Sequence, residues 1–347
     1  MALEPAIGWD LGGAHLKAAR LDPEGRVERV VQLPCPLWRG LAHLDQALTT
    51  AQAAMGPAPL HGVTMTGEMV DLFPTRAEGV AQLVAAMQQR LRGTSLRFYA
   101  GSDGFVAADE AKTSTSRVAS TNWLASATLV AACMQDALLM DIGSTTTDLV
   151  VVRSGRIQAR GRDDAGRLAA GELVYSGVVR TPVMALATAV PFEGESVPLM
   201  AELFATAADV HRLCGRLPEG ADQHPAADGG EKTETGSARR LARMIGRDAE
   251  TAPLDAWRQL ARTLARAQAA RIEDACDRLL SGQPLVADTP LVAAGVGRFL
   301  AADVAHRLAR PCLEFARLLP DPGPELGRVS DCAPAVAVAW LVQREPG

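Results

Sequence analysis

Apolar residues come along this chain in two patterns. Short runs bounded by glycine, hydroxyl or acidic residues read as strands: one entered at Ile7, one at Arg26–Leu33, one at Gly62–Thr66, one at Asp136–Met140 and one at Leu149–Val152. A further short strand is predicted at Arg156–Arg160, after the Ser154-Gly155 turn. Helices are predicted near 40–55, at Arg76–Leu91 and at Ser120–Cys133, the last expected to cross between two lobes. Leu254–Leu280 sets Leu254, Trp257, Leu260, Leu264, Ile272, Ala275 and Leu279 on one stripe of a long amphipathic helix. Gln268 is the one polar break in that stripe, and core packing explains the pattern fully. Between Pro191 and Gly246 the pattern loosens, and Leu217–Glu234 is a polar stretch long enough to suggest a function or disorder.

The strand at Asp136–Met140 ends in Asp141-Ile-Gly143-Ser144-Thr145-Thr146-Thr-Asp148, which reads as the loop of a β-hairpin. Gly143 lets the backbone approach a ligand, and the hydroxyls and amides around it suit an anion. Alone, such a loop reads equally well as a polar hairpin tip. The chain holds the pattern twice, however. Ile7-Gly-Trp-Asp10-Leu-Gly12-Gly13-Ala-His-Leu-Lys17 aligns on the later stretch without a gap, with Asp10 on Asp141, Gly12 on Gly143, Gly13 on Ser144 and Lys17 on Asp148. Two such turns are expected to face one another and hold a phosphate chain with its magnesium. In that arrangement Asp10 and Asp141 bind the metal, Lys17 offsets charge, and Gly12, Gly13, Gly143–Thr146 and Asp148 surround the phosphates. A third small-residue turn, Gly295-Val-Gly297, lies between a strand and a helix near the C-terminus.

These paired D-x-G turns resemble phosphate 1 and phosphate 2 of the actin, sugar kinase and Hsp70 superfamily, and Gly295-Val-Gly297 resembles its adenosine motif. The resemblance implies an α/β fold of two RNase H-like lobes around a central cleft. The lobes are expected at 1–125 and 126–347, the second carrying an inserted loop and helical region at about 190–250. The fold hosts kinases, hydrolases and filament formers, so it does not name a reaction.

Bulk properties narrow the field. The chain has 347 residues, 48% of them hydrophobic and 22% charged, enough for two lobes with substantial cores. No apolar run approaches the ~20 residues that span a bilayer, and the opening residues lead to the expectation of no signal peptide. Cysteines 35, 133, 214, 276, 312 and 332 lack metal-site spacing and fit a reducing cytoplasm. A net charge of -5 argues against a nucleic-acid partner. Small molecules are the expected partners, with no membrane contact and a homodimer left open.

Several other positions carry candidate chemistry. Glu68, in Thr64-Met-Thr-Gly-Glu68 after a strand, reads equally as a general base and as an acid favoured by a helix N-terminus. Asn122 opens the Ser120–Cys133 helix, either reaching the cleft or capping the helix. Arg180 suits a phosphate or carboxylate, or a surface ion pair. Asp222, His224 and Asp228 are spaced closely enough to converge on a divalent metal, against the plainer reading of a solvated turn.

Gly8-Trp-Asp-Leu-Gly-Gly-Ala, Met65-Thr-Gly-Glu-Met, Ser120-Thr-Asn-Trp, Asp141-Ile-Gly-Ser-Thr-Thr-Thr-Asp and Asp222-Gln-His-Pro-Ala-Ala-Asp-Gly resemble, nearly end to end, a narrower group. This group is the hydantoinase/oxoprolinase-related proteins of the tetrahydromethanopterin-linked one-carbon transfer pathway. The resemblance implies a transferase of methanofuran or methylofuran biosynthesis. Such an enzyme condenses an aminomethylfuran diphosphate with a tyramine- or tyrosine-derived phenol and releases pyrophosphate. On that reading magnesium is a cofactor, ATP is not consumed, and Glu68 or His224 takes the phenolic proton. Two rival readings remain at this point. One is an ATP-dependent kinase or oxoprolinase-like hydrolase of the same fold; the other is a nucleotide-gated interaction protein, disfavoured by the lack of a separate peptide-binding domain.

Overall fold

The opening runs build a six-stranded sheet from β1 (Ala6–Leu11), β2 (His15–Leu21), β3 (Val27–Pro34), β4 (Leu60–Met65), β5 (Ser95–Tyr99) and β6 (Phe105–Ala107). The order is β3-β2-β1-β4-β5-β6. Tight turns join β1, β2 and β3, so these pair antiparallel. β4 and β5 are reached through helices Leu41–Met55 and Arg76–Arg90, so they run parallel to β1. This is the RNase H-like arrangement. The computed structural model describes residues 3–321 and 326–345.

Alternation along β1 decides what covers each face. Ile7, Trp9 and Leu11 join Val63 and Met65 of β4 in a core with Leu44, Leu48, Val80, Leu83 and Val84 from the two helices. The opposite face carries Gly8 and Gly62, which admit the C-terminal helix Ala333–Gln343 at backbone distance. A Cβ on Gly8 would overlap the Ala335 carbonyl oxygen, and one on Gly62 would lie 2.6 Å from Val338 Cγ1. Every residue of β1 is buried, as expected for a strand covered on both sides.

The second sheet repeats the plan with β7 (Ala137–Ile142), β8 (Thr147–Arg153), β9 (Arg156–Ile157), β10 (Leu173–Val174), β13 (Leu291–Ala294) and β14 (Cys312–Glu314); β11 (Ala189–Phe192) and β12 (Glu195–Pro198) form a separate hairpin. Its order is β10-β8-β7-β13-β14, with β9 on β8. The chain divides into two compact units: Met1–Leu139, Val150–Ala165 and Leu313–Gly347 form one, and Met140–Leu149 with Gly166–Cys312 the other. In the second unit the long helix Leu254–Gly282 packs Trp257, Leu260 and Leu264 on Val210, Leu241 and Phe192. Phe192 and Trp257 stack at 4.9 Å between centroids.

Three expectations are corrected. The loop expected at 141–148 is shorter, because β7 runs to Ile142 and β8 starts at Thr147. Asp141 and Asp148 therefore lie on strands: pairing needs only backbone groups, so a polar side chain does not end it. Ser120–Cys133 becomes helical only at Asn122, since Ser120 holds a left-handed φ of 52°. That helix lies wholly in the first unit and does not cross out of it. The strand expected at Arg156–Arg160 pairs over two residues only. Among the described residues, no helix is long and apolar enough to cross a membrane.

Gly8→Ala is expected to cost about 3 kcal/mol, because the new methyl meets backbone and not a movable side chain. Chemical denaturation measures this. A variant as stable as the parent would contradict the close seating of Ala333–Gln343 on β1.

Candidate functional site

In the first unit the β1–β2 register sets Asp10 opposite Lys17, and the parallel register sets Asp10 beside Thr64. Lys17 Nζ lies 3.8 Å from Asp10 Oδ2, and Asp10 is 4% exposed. The turn between the strands closes with the Gly12 amide donating to the His15 carbonyl at 3.0 Å. At the end of β4, the Thr66 amide donates to the Leu11 carbonyl, also at 3.0 Å. A Cβ on Gly13 would lie 2.8 Å from Val70 Cγ1. The Thr64 and Thr121 hydroxyls meet at 2.9 Å in the buried floor.

The second unit reproduces these bonds at the aligned positions. The Gly143 amide donates to the Thr146 carbonyl at 2.8 Å, and the Gly297 amide to the Ile142 carbonyl at 2.8 Å. Gly295, at φ 81°, lets its backbone close against Asp141: a Cβ there would overlap Asp141 Oδ1 and the Ile142 carbonyl. The sequence match between the two turns is therefore a match of hydrogen bonds, and the Gly295–Gly297 turn sits against Asp141 and Ile142. One aligned pair differs in role. Where Lys17 faces Asp10, Asp148 is engaged at 2.5 Å by Arg167, whose side chain is wholly buried. Asp148 is thus the buried partner of Arg167.

Arg180 closes the second turn from outside. The Val178 amide donates to the Gly143 carbonyl, and the Val179 and Arg180 amides to that of Ser144. The Arg180 guanidinium reaches Thr145 Oγ at 3.4 Å and remains exposed. Gly177 permits this seating, since a Cβ there would overlap the Thr145 amide. Gln268 holds the segment from behind. Its Nε2 donates to the Gly177 carbonyl at 2.9 Å and to Ser176 Oγ at 3.0 Å. A carbonyl can only accept, so Gln268 Oε1 faces His211 and accepts from Nε2–H at 2.8 Å. Burial pushes the His211 imidazole down to about 4. The polar break in the apolar stripe is thus a brace for the turn, which core packing alone does not explain.

Glu68 is buried just beyond β4, with its Oε1 2.9 Å from Ser120 Oγ. Ser120 Oγ also lies 3.0 Å from Asp164 Oδ2, and Arg76 holds Asp164 at 2.6 Å. Burial, more than any neighbour, raises the Glu68 carboxyl above the usual range. This favours the acid–base reading of Glu68 over the helix-terminus one. The cap position beside Asn122 is taken by Thr121, without a side-chain cap bond.

Asp222, His224 and Asp228 do not form a ligand triad. Arg212 holds Asp222 at 2.5 Å with Lys232 at 3.4 Å, while Asp228 accepts from Arg240 at 3.0 Å. These ion pairs order the polar loop, and His224 is half-buried within it. Among the described residues, no three His, Cys, Asp or Glu side chains gather as a metal cage. Magnesium needs less: one or two carboxylates, with substrate oxygens and water completing its shell. Asp10 and Asp141, 4% and 7% exposed beside glycine turns, fit that donor role.

A model of the family described as hydantoinase/oxoprolinase matches residues 60–345. A Methanocaldococcus jannaschii protein, (4-{4-[2-(gamma-L-glutamylamino)ethyl]phenoxymethyl}furan-2-yl)methanamine synthase, is 30% identical over 245 residues, covering 70% of this chain and 72% of that protein. A Methanococcus vannielii protein of the same name is 28% identical over 114 residues, 33% of this chain and 51% of its own length. Among solved structures, nucleotide-free acetone carboxylase matches with a TM-score of 0.56 at 10% identity, over 89% of this chain and 68% of that one. At that identity the likeness concerns the fold alone, which is the actin/sugar kinase/Hsp70-like fold expected from the paired turns.

Gln268→Leu removes a donor and an acceptor from a buried network. It should cost about 3 kcal/mol and speed amide exchange across Gly143–Thr146. Unchanged exchange there would show that Gln268 does not brace the turn. His61 is likewise pushed down to about 4 by burial. Both imidazoles are neutral when folded, so their stabilisation is complete above the unfolded value near 6.5 and is lost as the pH falls toward 4. The urea midpoint should therefore drop between pH 7.5 and 4.5, and drop less in His61→Gln. Equal drops would contradict the assignment.

Proposed function

The chain belongs to the hydantoinase/oxoprolinase family, and from that premise we propose that it is a synthase of methanofuran or methylofuran assembly. It would join an aminomethylfuran diphosphate to a phenol and release pyrophosphate. The observation that carries this reading is the 30% identity, over most of both chains, to the Methanocaldococcus jannaschii synthase. The product in that protein's name contains a phenoxymethyl link on a furan ring, with a γ-glutamylaminoethyl arm on the phenyl ring. Forming this link requires a phenolic oxygen and a furan methylene bearing a leaving group.

The residues suit that chemistry. An electron-rich furan stabilises positive charge on its methylene, so the carbon–oxygen bond to diphosphate can break early. What remains is to neutralise the departing anion and place the phenol. The Gly12–His15 and Gly143–Thr146 turns, with Gly295 and Gly297, are the phosphate-binding elements in this proposal, and Lys17 and Arg180 supply positive charge. In each unit the carboxylate beside the turn, Asp10 or Asp141, would be a donor for magnesium, whose charge would further offset that of the diphosphate.

The test supplies aminomethylfuran diphosphate, the glutamylated tyramine phenol and magnesium without ATP. Ether and pyrophosphate should appear in equal amounts. Product that forms only with ATP, with ADP in step, would overturn the reading in favour of an ATP-dependent enzyme. Asp141→Asn should lower kcat ~100-fold or more with an unchanged melting temperature; full activity in that variant would remove Asp141 from the site.

A further inference from the structure

Ser120 poses a problem of proton counting. Its Oγ lies within hydrogen-bond distance of both Glu68 Oε1 and Asp164 Oδ2, at 2.9 and 3.0 Å. A hydroxyl donates one proton. With both carboxylates ionised, one contact would set oxygen against oxygen with no hydrogen between them. Arg76 donates to Asp164 Oδ2 at 2.6 Å, so that oxygen is already an acceptor. The extra proton therefore rests on Glu68, which is 1% exposed and whose Oε2 is buried without a hydrogen-bond partner. Asp164 and Arg76 are the charged groups that face it. Burial, reinforced by the Asp164 charge, holds the Glu68 proton beyond the usual carboxylate range.

Ser120 and Arg76 also line an open pocket of about 970 Å³ within the first unit. That volume accepts a small organic molecule. Trp123 and Leu124 give it an apolar wall, and Arg162 adds an exposed guanidinium. Arg117, on the same wall, is already tied to Asp103 and Glu110. The pocket thus combines an apolar surface for an aryl ring, a cation for a carboxylate, and a hydroxyl backed by a buried acid.

We infer that this pocket binds a phenol carrying a carboxylate arm, with Arg162 on the carboxylate and Ser120 relaying the phenolic proton to Glu68. The inference rests on the ether-forming reading and gives the acceptor its place within it. In the step, ionised Glu68 takes the Ser120 proton while the Ser120 oxygen takes the proton of the phenol. The phenol oxygen bonds to the furan methylene, and the bond from that carbon to diphosphate breaks, its electron pair leaving with the diphosphate. The relay needs Glu68 ionised. Turnover therefore rises with pH through a value above the ordinary 4.5 of a glutamate.

Calorimetry with the phenol 4-[2-(γ-L-glutamylamino)ethyl]phenol alone tests binding apart from the reaction. The parent should bind it, and Arg162→Ala should weaken binding about tenfold, the scale of one charge-assisted contact. Ser120→Gly deletes the hydroxyl while suiting the left-handed backbone at that position, so the fold is preserved. Ser120→Gly and Glu68→Gln should each lower kcat ~100-fold and abolish the acidic limb of the pH profile, with phenol affinity little changed. Phenol binding indifferent to Arg162→Ala, or an acidic limb that survives in Glu68→Gln while the parent makes ether, would overturn the inference and leave the reaction standing. Phenol binding that depends on Arg162, with no ether from the parent, would support the pocket and overturn the reaction.

Discussion

A strand carbonyl at the point where its sheet ends must find a donor or remain unsatisfied. At the end of β1 the Leu11 carbonyl takes the Thr66 amide, and at the end of β7 the Ile142 carbonyl takes the Gly297 amide. In both units this bond ties the hairpin turn to the exit of the neighbouring strand. Each pairing brings a carboxylate, a glycine turn and a second small-residue turn to one sheet end, where α/β proteins gather ligands. The candidate chemistry of each unit is arranged around that bond.

The two units equip this shared frame differently. In the first, Asp10 pairs with Lys17, and the exit of β4 carries a buried acid, Glu68, with Ser120 and Asp164. In the second, Asp148 is absorbed by Arg167, Asp141 lies close against the Gly295 backbone, and the turn is braced by neutral hydrogen bonds through Gln268 and His211. The first arrangement suits proton transfer. The second suits rigid presentation of backbone amides to an anion, because a preorganised turn need not reorder when the ligand binds.

The repeated turn was legible in the sequence because it is local: a gap-free match carries both the glycine and the aspartate of each copy. Helix and strand positions followed from periodicity for the same reason. What sequence could not reveal depends on partners far apart in the chain. Gln268 lies 92 residues from Ser176, and Ser120 lies 52 from Glu68. A lone glutamine in an apolar stripe was the only sign of the brace, and packing alone seemed to explain the helix. Asp222 and Asp228 misled because the acid–histidine spacing was visible while their cationic partners, Arg212 and Arg240, lay on flanking helices.

The central claim is that the two matched turns are the protein's phosphate-binding elements. Hydrogen exchange of the whole chain, with and without magnesium pyrophosphate, tests it most directly. The account predicts slowed exchange at Gly12–His15, at Gly143–Thr146 and at Gly295–Gly297, with the Asp222–Asp228 loop unaffected. Protection confined to that loop, or absent from both turns at saturating pyrophosphate, would contradict it.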